Sequence, residues 1–339
     1  MMITIALWKN VAMYIAPDVI HGRTSIFSPH DTPSHSVLGL SNLVLSFCLG
    51  IFLVVGGLLL YALIRFRHRP SDPHASREPA QIYGSNQIEL SWTVVPILIV
   101  FMLFLATARV IYSTEHAPRP ATALDVIVIG HQFWWEYRYP KLGIVTANEL
   151  HIPVSDPRDP TPTYLTMSSA DTNHSFWIPQ LAGGKTDVIP NKVNTMWMDP
   201  ASAGLYLGQC AQYCGTQHAK MLLRVYADTP AEFTAWAARQ REPAKDDAAT
   251  SEGRAVFQHN ACISCHTIAG TVATGRFGPD LTHLASRDTI ASGSLPNTPE
   301  NIRKFVKNPG HFKPGVLMPP MHLSDHDVDV VTVYLTTLK

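Results

Sequence analysis

GQCAQYCGTQHAKM, Gly208 to Met221, sets two thiols, an imidazole and a thioether on one short loop. Soft donors at that density suit copper. One Cys with His and a weak Met would describe a mononuclear blue-copper centre; here a second thiolate is added. With Cys210 and Cys214 one loop apart, both sulfurs can bridge two copper ions. An imidazole caps each ion, His218 being one, while Met221 and the backbone carbonyl of Gln212 serve as weak axial ligands. Such a site moves electrons and leaves no open position for substrate.

A loop of this kind needs a fold that brings a second imidazole to it. From Leu124 to Asp228 the sequence runs in short β-branched and aromatic stretches, DVIVIG, FWWEYRY, TYLTM, KTDVIP, NTMWM and LLRVYA, broken by Pro, Gly and Asn. That pattern predicts an antiparallel β-sandwich. The ligand loop joins two late strands, and His174, in ADTNHSFWIP, supplies the distant imidazole.

Downstream the chain spells CISCH, Cys262 to His266, the spacing for covalent attachment of a c-type haem. Cys262 and Cys265 bond the vinyl groups and His266 the iron. The sixth ligand is expected to be a Met, and GVLMPPMH offers Met318 and Met321, with His322 adjacent. Four of the five cysteines fall in the two motifs, which argues against a disulfide framework; Cys48, in an apolar run, reads as packing. Pro230 to Gly253 is Ala-rich and charged, predicting a helix and then a flexible linker. EGRAVFQHN, TPENIRKFVKNP and SDHDVDVVTVYLTTLK predict helices within 251–339, the last capped by Ser324.

Upstream, Val37 to Ile64 carries no charge and Leu90 to Ala108 lies between Glu89 and Arg109, so both are long and apolar enough to span a bilayer. Pro96 is tolerable in such a helix. Arg65, Arg67, Arg69 and Arg77 between the spans place that segment in the cytoplasm, and both termini opposite. Residues 1–16 lack the charge order of a signal peptide. Balanced charge, 26 Lys and Arg against 26 Asp and Glu, gives no basic surface for nucleic acid.

Taken together these motifs resemble subunit II of a haem-copper cytochrome c oxidase with a fused C-terminal cytochrome c domain, over most of the chain from about Ser25. The resemblance implies a multidomain membrane protein: two transmembrane helices as an α-hairpin, a cupredoxin-like β-sandwich and an all-α cytochrome c domain. The expected divisions are an exported segment at 1–36, the hairpin at 37–112, the copper domain at 113–228, a helix and linker at 229–250 and the cytochrome domain at 251–339. It implies a dinuclear copper site, CuA, on His174, Cys210, Gln212, Cys214, His218 and Met221. It also favours Met318 as axial ligand, because the family's loop reads Met-Pro there. IELSWTVVP resembles the family's second-helix motif, making Glu89 the counterpart of the acid opening a proton pathway.

Two positions depart from the family. Gln212 stands where a Glu commonly binds magnesium or manganese at the subunit I interface, and a neutral amide is a weaker ligand for a hard cation. Phe133 replaces the first Trp of the family's Gln-Trp-aromatic-Trp run, where electrons from soluble cytochrome c usually enter; Trp134 and Trp135 are the remaining candidates. The implied activity is an electron relay in a terminal oxidase of a bacterial-type inner (plasma) membrane. A reduced periplasmic donor, such as cytochrome c or a quinol-oxidising complex, feeds haem c, then CuA, then the oxygen-reducing subunit I, with subunit III, membrane lipid and proton translocation part of the assembly. Alternatives are a CuA subunit of a nitric oxide reductase type enzyme, and a copper-delivery protein that would hold one exchangeable ion.

Overall fold

A computed structural model describes residues 24–67, 81, 83–116, 119–156, 158, 161–245 and 247–339. Residues 1–16, Arg69 and Arg77, which bear on export and orientation, lie outside these. The chain divides into two units, one of residues 36–116 and one of residues before and after it.

The first unit is built from two long helices, α1 (Thr32–Arg65) and α2 (Asn86–Glu115). At 1.5 Å per residue they measure about 51 and about 45 Å, more than the roughly 30 Å of a bilayer's hydrocarbon core. Their apolar windows are wholly unburied within the protein, the reverse of a soluble core helix. Glu89 lies in the first turn of α2 and Pro96 inside it.

The second unit begins with two five-stranded sheets. Strands β1 (Leu124–His131), β2 (Trp134–Tyr139), β3 (Ile144–Ala147), β4 (Glu149–Pro153) and β5 (Thr163–Ser169) are followed by β6 (His174–Trp177), β7 (Lys185–Val188), β8 (Asn194–Met198), β9 (Gly204–Cys210) and β10 (Leu222–Asp228). One sheet has the order β3-β2-β1-β5-β8 and the other β4-β10-β9-β6-β7. In β1 alternate residues are buried, so Val126 and Val128 face the core while their neighbours are half-exposed. Trp135, Tyr137, Tyr139 and Phe176 are fully buried between the sheets, each worth roughly 1.5–3 kcal/mol of burial.

The sandwich is not purely antiparallel. β1 pairs β5 in parallel and β10 pairs β4 in parallel, the other pairs being antiparallel. The cause is the path: the chain leaves the first sheet after β3, adds β4 to the second, then returns to the free side of β1.

A capping box between Thr229 and Glu232, with Pro at the start, initiates α3 (Pro230–Gln240). The segment beyond it does not behave as its composition predicts. Ala244 N–H donates to the Ala269 carbonyl at 3.0 Å and the His283 ring bonds the Glu242 carbonyl at 3.1 Å, so this linker is pinned along the C-terminal module. That module packs α4 (Ser251–His259), the one-turn α5 (Cys262–Cys265), α6 (Pro299–Lys307), a further turn α7 (Pro309–Phe312) and α8 (Asp325–Thr337) around Phe257, Ile302, Val331 and Leu335. Ser324 Oγ accepts from Asp327 N–H at 3.1 Å, capping α8. A short ribbon, β11 (Thr289–Ile290) with β12 (Leu295–Pro296), makes this module mainly, not wholly, helical.

Candidate metal centres

Cys210 ends β9, and the loop from Ala211 to Lys220 carries the chain back into β10. His174 is the first residue of β6, the neighbour of β9, and its ring rests against Gly130 of β1. A Cβ at Gly130 would lie 2.8 Å from that ring, so glycine is required there. Four strand and loop positions thus converge on one buried site.

Cys210 Sγ and Cys214 Sγ stand 3.9 Å apart, well beyond the roughly 2.0 Å of a disulfide, and both cysteines are free. His174 Nδ1 is 3.9 Å from Cys210 Sγ, and His218 Nδ1 is 3.8 Å from Cys214 Sγ, one imidazole flanking each sulfur. Met221 Sδ lies 3.9 Å from Cys214 Sγ, and the Gln212 carbonyl oxygen 3.2 Å from Cys210 Sγ. The Gln212 side chain is exposed. His174, Cys210 and Cys214 present their donor atoms within 4.8 Å of one another. The donor set and its spacing fit soft metal ions held between two sulfurs.

The electrostatics favour thiolate at this site. Cys214 hydrogen-bonding to it pulls the Cys210 thiol down to about 3 against burial, and the same contact pushes the Cys214 thiol up. A metal ion held between the two sulfurs would displace the proton that they share. Burial opposes charge on His174, yet the Asp171 carboxylate and Cys210 raise its pKa. His174 Nε2 lies 2.8 Å from Asp171 Oδ1, which orients the ring so that Nδ1 faces the sulfurs.

The second centre is a cavity lined by Cys262, Cys265, His266, Met318 and Met321 with apolar side chains from α4, α6 and α8. Cys262 and Cys265 share a face of α5. His266 Nδ1 bonds the Pro279 carbonyl at 2.8 Å, leaving Nε2 for a metal, and burial lowers the ring's pKa and keeps it neutral. A Cβ on Gly278 would lie 2.6 Å from the His266 ring, so the chain there stays bare beside it. An apolar cavity with two free thiols, a neutral imidazole and two thioethers fits a covalently held haem.

The aromatic run divides between the centres. Phe133 and Trp134 line the haem-sized cavity, Trp134 stacking on His131 at 4.1 Å between centroids. Trp135 turns inward instead, edge-on to His174 at 5.8 Å and to Phe176 at 5.4 Å. Gly215, at φ +130°, leaves room for the Phe133 ring, which a Cβ would meet at 2.9 Å. Three further residues went unseen in the sequence: Asp171, Gln132 and Lys313. The available signals were Asp171 three positions before His174 and Gln132 heading the aromatic run; Lys313 carries none.

Three family profiles match successive stretches of the chain. The profile described as Cytochrome C oxidase subunit II, transmembrane domain, matches residues 26–110; that of the periplasmic domain matches 157–227; and that of Cytochrome c matches 250–339. Cytochrome c oxidase subunit 2 of Alkalihalophilus pseudofirmus is 32% identical over 298 residues, covering 85% of this chain and 83% of the relative. That of Bacillus sp. strain PS3 is 31% identical over 294 residues, covering 81% and 80%. Among solved structures, the periplasmic domain of subunit II of cytochrome oxidase from Bradyrhizobium japonicum aligns at 26% identity and TM-score 0.34, covering 37% of this chain and 97% of that one. With three matching profiles in order and relatives aligned over most of its length, the chain belongs to the cytochrome c oxidase subunit II family, as a membrane-anchored electron-transfer subunit that works with subunit I of a haem-copper oxidase and carries a cytochrome c domain at its C-terminal end.

Proposed function

We propose that this subunit relays single electrons from a reduced periplasmic donor to the oxygen-reducing subunit I, covalent haem c and a dinuclear copper pair supplying the successive one-electron couples. The observation that carries this reading is the paired arrangement of the copper loop: two sulfurs 3.9 Å apart, each with its own imidazole within 3.9 Å. His174, Cys210, Cys214, His218, Met221 and the Gln212 carbonyl hold the copper. Cys262 and Cys265 anchor the haem by thioether bonds, His266 Nε2 and Met318 take the two axial positions, and the Pro279 carbonyl fixes the His266 tautomer.

What the protein residues add is rigidity. Asp171 holds His174, Cys210 sits at a strand end, and the buried setting excludes water, so the ligands shift little when an electron arrives. Phe133 and Trp134 stand in the cavity wall, and Trp135 backs His174. Arg65, in the last turn of α1, supports a cytoplasmic loop between the spans, and with it a periplasmic position for both metal-binding modules. Glu89, at the same end of α2, is the proton acceptor we assign to the opening of a proton pathway coupled to translocation.

Low-temperature EPR with metal analysis on the oxidised full chain tests this. Two coppers per haem and a seven-line signal, from one unpaired electron shared by two copper nuclei, are expected. A four-line mononuclear signal, or a Cys210–Cys214 disulfide in place of copper, would sink it.

A further inference from the structure

The C-terminal module is fixed to the copper loop through a four-residue segment, 312–315. Lys220 Nζ donates to the Phe312 carbonyl at 2.7 Å, and Thr216 Oγ1 and Gln217 Nε2 donate to the Pro314 carbonyl at 3.2 and 2.9 Å. Between these contacts Lys313 turns inward and is only 2% exposed. Its Nζ donates to the Phe133 carbonyl of the copper module at 2.9 Å and to the Ala291 carbonyl at 3.2 Å. Among the described residues Lys220 is the cation that acts on it, and the Cys214 sulfur lies on the opposing side of the balance. Burial, then Lys220, pulls its pKa down to about 7. An ammonium kept inside with carbonyl partners alone is costly.

The carbonyl that Lys313 holds belongs to a turn whose other groups reach the copper ligands. Gln132 N–H donates to Asp171 Oδ2 at 2.6 Å, and Asp171 Oδ1 bonds His174. Gln132 Nε2 donates to the Cys214 carbonyl at 2.6 Å. Gln132, Phe133 and Lys313 all line the haem-sized cavity beside Cys265 and Met318.

We propose that Lys313 is a positioning residue for electron transfer between the two modules: its hydrogen bond to the Phe133 carbonyl holds the Gln132–Phe133 turn in the cavity wall, so that Gln132 bonds that wall to Cys214 and, through Asp171, to His174. This rests on the relay reading above. One electron crosses per event, the iron side being oxidised by one unit and the copper pair reduced by one, with no proton required.

The test uses the full chain in detergent, loaded with haem and copper. A photoexcited reductant reduces the haem, and the decay of the ferrous band is timed against bleaching of the copper band. Lys313→Met removes donor and charge while keeping the stem; Lys313→Gln removes the charge but keeps a donor. The Met variant is expected to slow transfer by about tenfold or more, as ångström-scale misplacement does, and the Gln variant to recover most of that loss. Both lose the buried cation, so any fall in haem potential is common to both and the rate difference reports the hydrogen bond. A Met variant as fast as the parent, or a Gln variant as slow as Met, overturns the proposal. Should the Met variant fail to load haem, hydrogen exchange on the parent chain decides: amides at 131–134 and 312–316 open together, and independent opening overturns it. A parent chain lacking the seven-line copper signal defeats the relay reading itself, and that is seen before any substitution is made.

Discussion

Cys210 and Cys214 share one environment but are held differently, Cys210 by a strand end beside His174 and Cys214 by a loop beside His218 and Met221. Met221 is fully buried, and its thioether sulfur stands 3.9 Å from Cys214 Sγ, so loss of that sulfur should unbalance the pair without emptying the site. Met221→Leu is expected to change the copper hyperfine pattern and potential while both coppers stay bound; an unchanged EPR spectrum would remove Met221 from the ligand set. In the haem module Met318 and Met321 both line the cavity. Met318→Ala should abolish the methionine-to-iron charge-transfer band while the haem remains covalently attached, and persistence of the band would hand the position to Met321. These residues were legible in the sequence because their donor atoms are crowded into short motifs, the copper loop and GVLMPPMH. Asp171, Gln132 and Lys313 were not, since a carboxylate, an amide and an ammonium are ordinary surface residues until tertiary contacts bury them.

At the scale of elements, patterning found the strands that alternate strongly or carry several aromatics, β1, β2, β5, β7, β8 and β10. It drew no run for β3, β4, β6 and β9, although it expected a strand before the ligand loop and one bearing His174. β6 reads HSFW, too short to show a period, and β9 reads GLYLGQC, with two glycines that weaken any strand signal. Both carry proposed copper ligands, His174 and Cys210. Asp31, the residue before α1, shows a related effect. Asp31 is buried, its carboxylate accepting from the amides of Ser34 at 2.9 Å and Ala182 at 2.6 Å. Burial outweighs these bonds and raises its pKa to about 6. A carboxyl raised in the folded state binds more protons there than when unfolded, so its stabilising contribution is full below about 4 and is lost as pH rises through about 6. Hydrogen exchange at the Ser34 and Ala182 amides should accelerate across that window. Asp31→Asn, which keeps an acceptor without the charge, should remove the acceleration; an unaltered pH profile would show that another group governs it.

For the whole second unit, the sequence allowed a haem module swinging on a flexible tether. The structure instead locks it by backbone and side-chain bonds: Glu149 accepts from the Asp288 and Thr289 amides at 3.1 and 2.9 Å, and Tyr226 donates to Asp288 at 2.6 Å. Glu149 is 4% exposed, so salt reaches this contact poorly. Transfer between the modules should therefore change little with ionic strength, whereas reduction by an external donor docking through surface charge should slow as salt rises; stopped-flow and flash measurements over one salt series separate the two. A tethered, undocking module would lose both together. Composition could not reveal the lock, because the charged, Ala-rich run after α3 reads as a linker whether or not it finds a surface.

The shared wall formed by Gln132, Phe133 and Trp134 also makes the two modules interdependent. Residues 312–315 bond the copper loop, so each half covers part of the other's candidate site, and neither keeps its full lining if the halves part.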